Sequence, residues 1–161
     1  IYLHFSPTYK YSIGLERVNN KFYKNTENYF RFTYLVNRKN TDISQRNLYF
    51  QSGVLVDDAD GFFYGMHGDW ETRRWFSGFG YKDTKNTFGQ DYTDQYIQLG
   101  VAPYVGDYGD LHTWIMIKTK KNSLTNTQST YPELKFFKGP TLVKFGYSDK
   151  TEWDLHLMYR F

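Results

Sequence analysis

The stretch Ile1-Tyr2-Leu3-His4-Phe5-Ser6-Pro7-Thr8-Tyr9-Lys10-Tyr11-Ser12-Ile13-Gly14-Leu15-Glu16 decides how this chain is read. Its odd positions carry Ile1, Leu3, Phe5, Pro7, Tyr9, Tyr11, Ile13 and Leu15. Its even positions carry Tyr2, His4, Ser6, Thr8, Lys10, Ser12, Gly14 and Glu16. Apolar and polar residues alternate with period two, the periodicity of a β-strand. Strands of globular proteins run to about 5–6 residues. Read as one strand, an apolar face of this length suits a bilayer better than a small core.

The pattern recurs along the chain. Phe30, Phe32, Tyr34 and Val36 alternate with Tyr29, Arg31 and Thr33. Leu48, Phe50, Val54 and Val56 oppose Asn47, Gln51 and Asp57. Phe62, Tyr64, Met66 and Trp70 oppose His67, Asp69, Glu71 and Arg73. Further segments read the same way around residues 75–82, 97–105, 111–118, 133–136, 143–147 and 152–161. About ten strands result, or eight if residues 131–147 form a single excursion. An apolar face toward lipid and a polar face toward a lumen describe a closed antiparallel up-and-down transmembrane barrel. A lipocalin-like barrel or a sandwich requires the reverse polarity, and so many bulky aromatics would overfill the interior of a ten-stranded soluble barrel.

Composition agrees. The chain has 161 residues, consistent with one domain over 1–161, and 21% are aromatic. That is too aromatic for a disordered chain, while no apolar run approaches the roughly 20 residues of a membrane helix. Without cysteine there are no disulfides, thiolate metal sites or thiol catalysis. A net charge of +3 with interspersed signs is too mild to imply nucleic acid. The chain opens without Met or an apolar leader, so either a signal peptide has been removed or the polypeptide continues upstream.

Short turns at 72–75, 106–110 and 138–140, with a somewhat longer one at 37–44, fall on one rim. Longer loops at 17–27, 57–61, 83–91, 120–130 and 148–151 fall on the other. This is the periplasmic and outer asymmetry of such barrels, and termini on the short-turn side require an even strand count. Trp70, Trp75 and Trp153 are expected near the periplasmic rim as part of an aromatic girdle.

The last nine residues, Trp153-Asp154-Leu155-His156-Leu157-Met158-Tyr159-Arg160-Phe161, resemble the C-terminal assembly signal of Gram-negative outer-membrane β-barrel proteins. They have a terminal Phe, a Tyr two residues earlier and apolar positions alternating back. The resemblance implies a bacterial outer membrane, insertion by the barrel-assembly machinery, and outer-membrane lipid and lipopolysaccharide as surroundings.

The polar face supplies the candidate site. Lys10, Glu16, Arg31, His67, Asp69, Glu71, Arg73, Lys118, Lys144 and Asp154 are expected in a lumen network, with Lys82 and Glu152 beside them. Tyr2, Tyr29, Tyr49, Phe63, Tyr96, Tyr104 and Trp114 would narrow it. Charges removed from water persist only when paired, so the network is either a plug or the wall of a narrow conduit for a small polar or ionic solute. A non-conducting barrel serving as anchor, envelope stabiliser or interaction protein is the alternative. His4, His112, Met116, His156 and Met158 share the polar face, and imidazole with thioether suits copper or zinc; ordinary lumen placement explains them as well. Enzymatic readings have less support. Ser52 and Ser77 face outward without a histidine base, and His67 with Asp69 lies at mid-depth rather than at an omptin-like rim. Lys21, Lys24, Lys85, Lys120 and Lys121 are expected on the outer loops, near lipopolysaccharide.

Overall fold

The computed structural model describes residues 2–20, 22–87, 89–107, 109–150 and 152–159. Phe161, Arg160 and Lys21 lie outside them, so the terminal part of the assembly-signal match does too. Eleven strands form one antiparallel sheet: β1 (Tyr2–Thr8), β2 (Tyr11–Asn20), β3 (Asn25–Asn40), β4 (Ser44–Leu55), β5 (Phe62–Thr72), β6 (Trp75–Lys85), β7 (Tyr92–Val101), β8 (His112–Asn122), β9 (Thr127–Lys138), β10 (Thr141–Ser148) and β11 (Glu152–Tyr159). Each pairs with its sequence neighbours in the order β1 to β11. No helix occurs among the described residues, and so none crosses a membrane.

The expected count of ten becomes eleven because residues 1–16 are not one strand. Tyr9 and Lys10 form a turn between β1 and β2. The alternation survives that turn because the ladder slips beside it. Thr8 pairs with Tyr11, but Phe5 pairs with Ile13 and Leu3 with Leu15, a register shift between Phe5 and Thr8. A bulge adds one residue to one strand, so odd positions of both strands stay on one face. Leu3, Phe5, Ile13 and Leu15 are all exposed on it.

The odd count also changes the ends. The β1–β2 turn and the described residues of 41–43, 73–74, 102–107, 109–111 and 139–140 form one rim, called rim A below. Residues 22–24, 56–61, 86–87, 89–91, 123–126 and 149–150 form rim B. β1 starts toward rim B and β11 ends toward rim A, so the even-count expectation does not hold. Closure is not seen: among the described residues β1 and β11 are the edges of an open, barrel-like sheet.

Other boundaries move as well. Residues 102–111, expected partly as strand and partly as a short turn, make the longest connection, and it lies on rim A. Arg73 holds it there, donating from Nη2 to the Gly106 carbonyl at 3.1 Å. At rim B four of the five loops are shorter than expected because β2, β3, β6, β8, β9 and β10 run further, whereas the loop expected at 57–61 is one residue longer because β4 ends at Leu55. Trp70 and Trp75 sit by rim A, but Trp153 pairs with Tyr147 beside the rim B loop at 149–151. Direction of travel along β11 puts it there.

The polarity of the sheet is inside out. Leu155 is 70% exposed, Ile97 56%, Ile117 55% and Trp75 59%, all on the convex face. The concave face buries Glu133 to 1%, Lys135 to 5%, Lys118 to 8% and Gln98 to 4%. Burying polar groups while exposing aliphatic ones is unfavourable in water. Glycines on the concave face make room for its side chains. The Phe63 ring lies over Gly53, and a Cβ at Gly80 would stand 2.2 Å from the Tyr96 ring.

Candidate functional site

Charged side chains from seven strands meet on the concave face. In one group Glu16 of β2 accepts from Arg31 of β3 at 2.7 Å and from Lys82 of β6 at 3.3 Å. Arg31 also donates to Gln51, and its guanidinium covers the Tyr2 ring at 4.3 Å. Lys82 stands 4.2 Å from the Phe63 ring centroid. Each cation therefore has a carboxylate on one side and an aromatic face on another.

A second group joins β8, β9 and β11. Lys118 Nζ lies 3.2 Å from Glu133 and 2.8 Å from Asp154. Asp154 accepts further bonds from Lys120 at 2.8 Å and from the Tyr131 hydroxyl at 2.6 Å. In a third group Lys135 of β9 reaches Glu71 of β5 at 2.7 Å, between the rings of Phe76 at 4.0 Å and Trp114 at 4.4 Å.

These groups can meet only because the sheet curls. Strands four apart in a flat sheet stand about 19 Å from one another. Lys82 with Glu16 and Lys135 with Glu71 each bridge four strands at bonding distance. Extended lysine and glutamate side chains do not span a flat sheet.

Of the ten residues expected in the network, Glu16, Arg31, Glu71, Lys118 and Asp154 make these ion pairs. His67 stacks on Tyr49 with ring centroids 4.9 Å apart, and Asp69 accepts from Asn47 Nδ2 at 2.8 Å. His67 and Asp69 thus each have a different partner. Lys144 lies 5.9 Å from the Phe76 ring and pairs in register with His156 on β11. Lys10 is not in the network: it sits in the exposed β1–β2 turn, its Nζ near the Tyr9 ring. Arg73 is not either; it lies in the rim A turn, its side chain 64% exposed beside Asp107. Glu152 lies on β11.

The histidine and methionine set is spread out. His4 and His156 occupy β1 and β11, the two edges. His112 lies at the foot of β8, 6.1 Å from the Trp114 ring. Met116 packs among Phe76, Ala102 and Trp114. Among the described residues no group of three or more His, Cys, Asp or Glu is arranged for a metal ion. A cavity of about 250 Å³ opens at rim A, lined by Glu71, Arg73, His112, Trp114 and Phe137 among others.

Several network members are not marked by apolar alternation. Lys120, expected on a loop, lies on β8 because the alternation Trp114, Met116, Lys118 continues one step further. Glu133 and Lys135 were visible only as the polar side of a short segment. Glu27, 1% exposed and accepting from Tyr29 Oη at 2.7 Å, fell in a region read as loop. Following period two past the last apolar residue finds all of them. Tyr104, expected in the lumen, is exposed on the rim A loop and donates to the Leu111 carbonyl.

In comparisons with known proteins, no family model, no curated protein and no solved structure matches this chain.

Proposed function

We propose that this chain is an integral β-barrel of a bacterial outer membrane, closed in its native state, whose interior is a charge-paired plug rather than an open pore. Its role is then that of a membrane anchor or envelope-stabilising protein. The observation that carries this reading is the inverted polarity: exposed Leu155, Ile97 and Ile117 outside, and Glu133, Lys118 and Lys135 buried in bonded groups within. Hydrocarbon favours the first face, and only mutual pairing makes the second tolerable. The exposed Lys121 and Lys24 on the rim B side suit contact with lipopolysaccharide phosphates.

A second reading, a narrow conduit for a small polar or ionic solute, is favoured by the rim A cavity. Its wall includes Glu71, whose carboxylate holds Lys135, so displacing that pair would extend the cavity inward. Planar-bilayer conductance of the purified protein, its folding confirmed, separates the two. The plug reading expects a silent bilayer for the natural protein and current only after Glu71→Gln with Lys135→Met. Reproducible ion-selective steps from the natural protein would overturn it in favour of the conduit.

A further inference from the structure

The convex face changes character toward rim A. On β3 its positions run Phe30, Phe32 and Tyr34 and then, past the register shift between Leu35 and Asn37, Asn37 and Lys39. On β4 they run Phe50, Leu48 and Arg46. Each strand passes from apolar side chains to a cation near its rim A end. Lys39 and Arg46 stand directly opposite one another in the ladder, and both are exposed. Side chains opposed in this way have Cβ atoms about 5 Å apart, and like charges there repel. Among the described residues neither forms an ion pair. β2 begins opposite Tyr34 while β3 runs on to Asn40, so no β2 residue flanks Lys39 to neutralise it.

The same row continues with Trp70, opposite Arg46, and Ser77, opposite Trp70. Trp70 is 42% exposed, and tryptophan at the edge of a lipid-facing belt sits at headgroup level. One row further from the rim, Leu48, Gly68 and Phe79 lie side by side. Gly68 has no side chain, and the Phe79 ring rests against it: a Cβ there would stand 2.9 Å from the ring. A groove of about 340 Å³ opens here, lined by Arg46, Leu48, Trp70, Ser77 and Phe79 among others. The carboxylate among its lining residues, Asp69, belongs to the concave face, where it accepts from Asn47.

We propose that this groove binds one anionic phospholipid, its phosphate between Lys39 and Arg46 and an acyl chain along Leu48 and Phe79. An anion between the two cations turns their repulsion into attraction, and a guanidinium can hold phosphate oxygens with two parallel bonds. The apolar walls start one row below the cations, as the chain of a lipid starts below its phosphate. The turns at 9–10, 41–43, 73–74 and 139–140 are short. Short turns mark the periplasmic rim of such barrels, where the leaflet is phospholipid rather than lipopolysaccharide. The site rests on the barrel reading, which puts this face in lipid.

The test is quenching of Trp70 by brominated lipid. Trp75→Phe and Trp153→Phe leave Trp70 as the exposed tryptophan, and Trp114, 4% exposed on the concave face, stays out of lipid reach. The protein is refolded into vesicles that contain brominated phosphatidylglycerol or brominated phosphatidylcholine. A basic residue near an anionic lipid surface strengthens attraction about fivefold, so two cations should give phosphatidylglycerol a preference of about tenfold or more. Lys39→Gln with Arg46→Gln should abolish that preference, and Lys121→Gln at rim B should leave it. Native mass spectrometry of the protein with its own tryptophans is a second measurement: one phosphatidylglycerol retained, and lost in the Lys39→Gln, Arg46→Gln variant.

Equal quenching by the two lipids would overturn the site and leave the barrel reading standing. So would a preference that survives the double substitution, or tighter retention of lipopolysaccharide than of phosphatidylglycerol. A chain whose Trp70 is quenched by neither lipid, and which alkaline extraction releases from the vesicles, would refute the barrel reading and the site with it.

Discussion

Replacing Lys118 by methionine tests whether the interior is dry. The lysine stands 3.2 Å from Glu133 and 2.8 Å from Asp154, and Glu133 is 1% exposed. At an effective dielectric of about 20 the nearer contact corresponds to roughly 6 kcal/mol and the other to roughly 5 kcal/mol of Coulomb attraction. Desolvation of the three groups offsets much of this. What remains when one partner goes is an uncompensated buried carboxylate, at a cost of about 3–5 kcal/mol. Asp154 keeps Lys120 and Tyr131, so the penalty centres on Glu133. Removing that charge too, in Lys118→Met with Glu133→Gln, should recover most of the loss and leave about 1 kcal/mol. The assay is reversible urea unfolding in lipid vesicles, with the two singles and the double forming a cycle. A single Lys118→Met that costs under about 1 kcal/mol, or a double equal to the sum of the singles, would refute the reasoning. It would mean that water screens the pair, which is what an open conduit requires.

The other predictions concern the two faces and one loop. Gly65→Ala would place a Cβ 2.1 Å from the Tyr81 carbonyl oxygen; backbone must move, so the loss should be about 1–3 kcal/mol in the same unfolding assay, and an unchanged midpoint would contradict the close approach. Ile117→Arg on the exposed convex face should cost about 2–4 kcal/mol in vesicles if that face meets mid-bilayer hydrocarbon, and a neutral or stabilising effect would argue for water there. At rim B, Lys85 donates to the Asp91 carboxylate at 2.8 Å and the Asn86 amide to it at 3.1 Å, holding its pKa below the ordinary 3.8. A lowered folded-state pKa means the contact contributes above the ordinary value and is lost as pH falls through the lower one. Backbone resonances of residues 86–91 should therefore shift only in that acid range, and Asp91→Asn should abolish the shift; a transition near neutral pH would contradict the assignment.

Much of this fold is legible because alternation is a local property. Phe62, Tyr64 and Met66 against Phe63, Gly65 and His67 declare a strand and two faces without reference to any other segment. So does the run from Trp153 to Tyr159. The β1–β2 turn was hidden for a physical reason: the bulge next to it cancels the parity change that a two-residue turn would otherwise impose. Alternation places Lys10 in the interior for the same cause, whereas it sits in the exposed turn. Alternation carries Arg73 inward, but β5 ends at Thr72, one residue before it. The ends of β8 and β9 were missed because Lys120, Lys121, Gln128 and Ser129 offer no apolar contrast, and only their pairing across the ladder identifies them as strand.

The sequence by itself determined that the chain is all β, that each strand has one apolar and one polar face, and that acids, bases and histidines share the polar one. Side-chain alternation follows from backbone geometry within a strand, so it can be read without partners. Only the tertiary structure decided that the apolar face is convex and exposed, that eleven strands leave two edges running the same way, and which charges meet. Glu16 finds Lys82 across 66 residues and Glu71 finds Lys135 across 64. Such pairings depend on how far the sheet curls. That curl is a collective property of all the strands, and no single stretch of sequence encodes it.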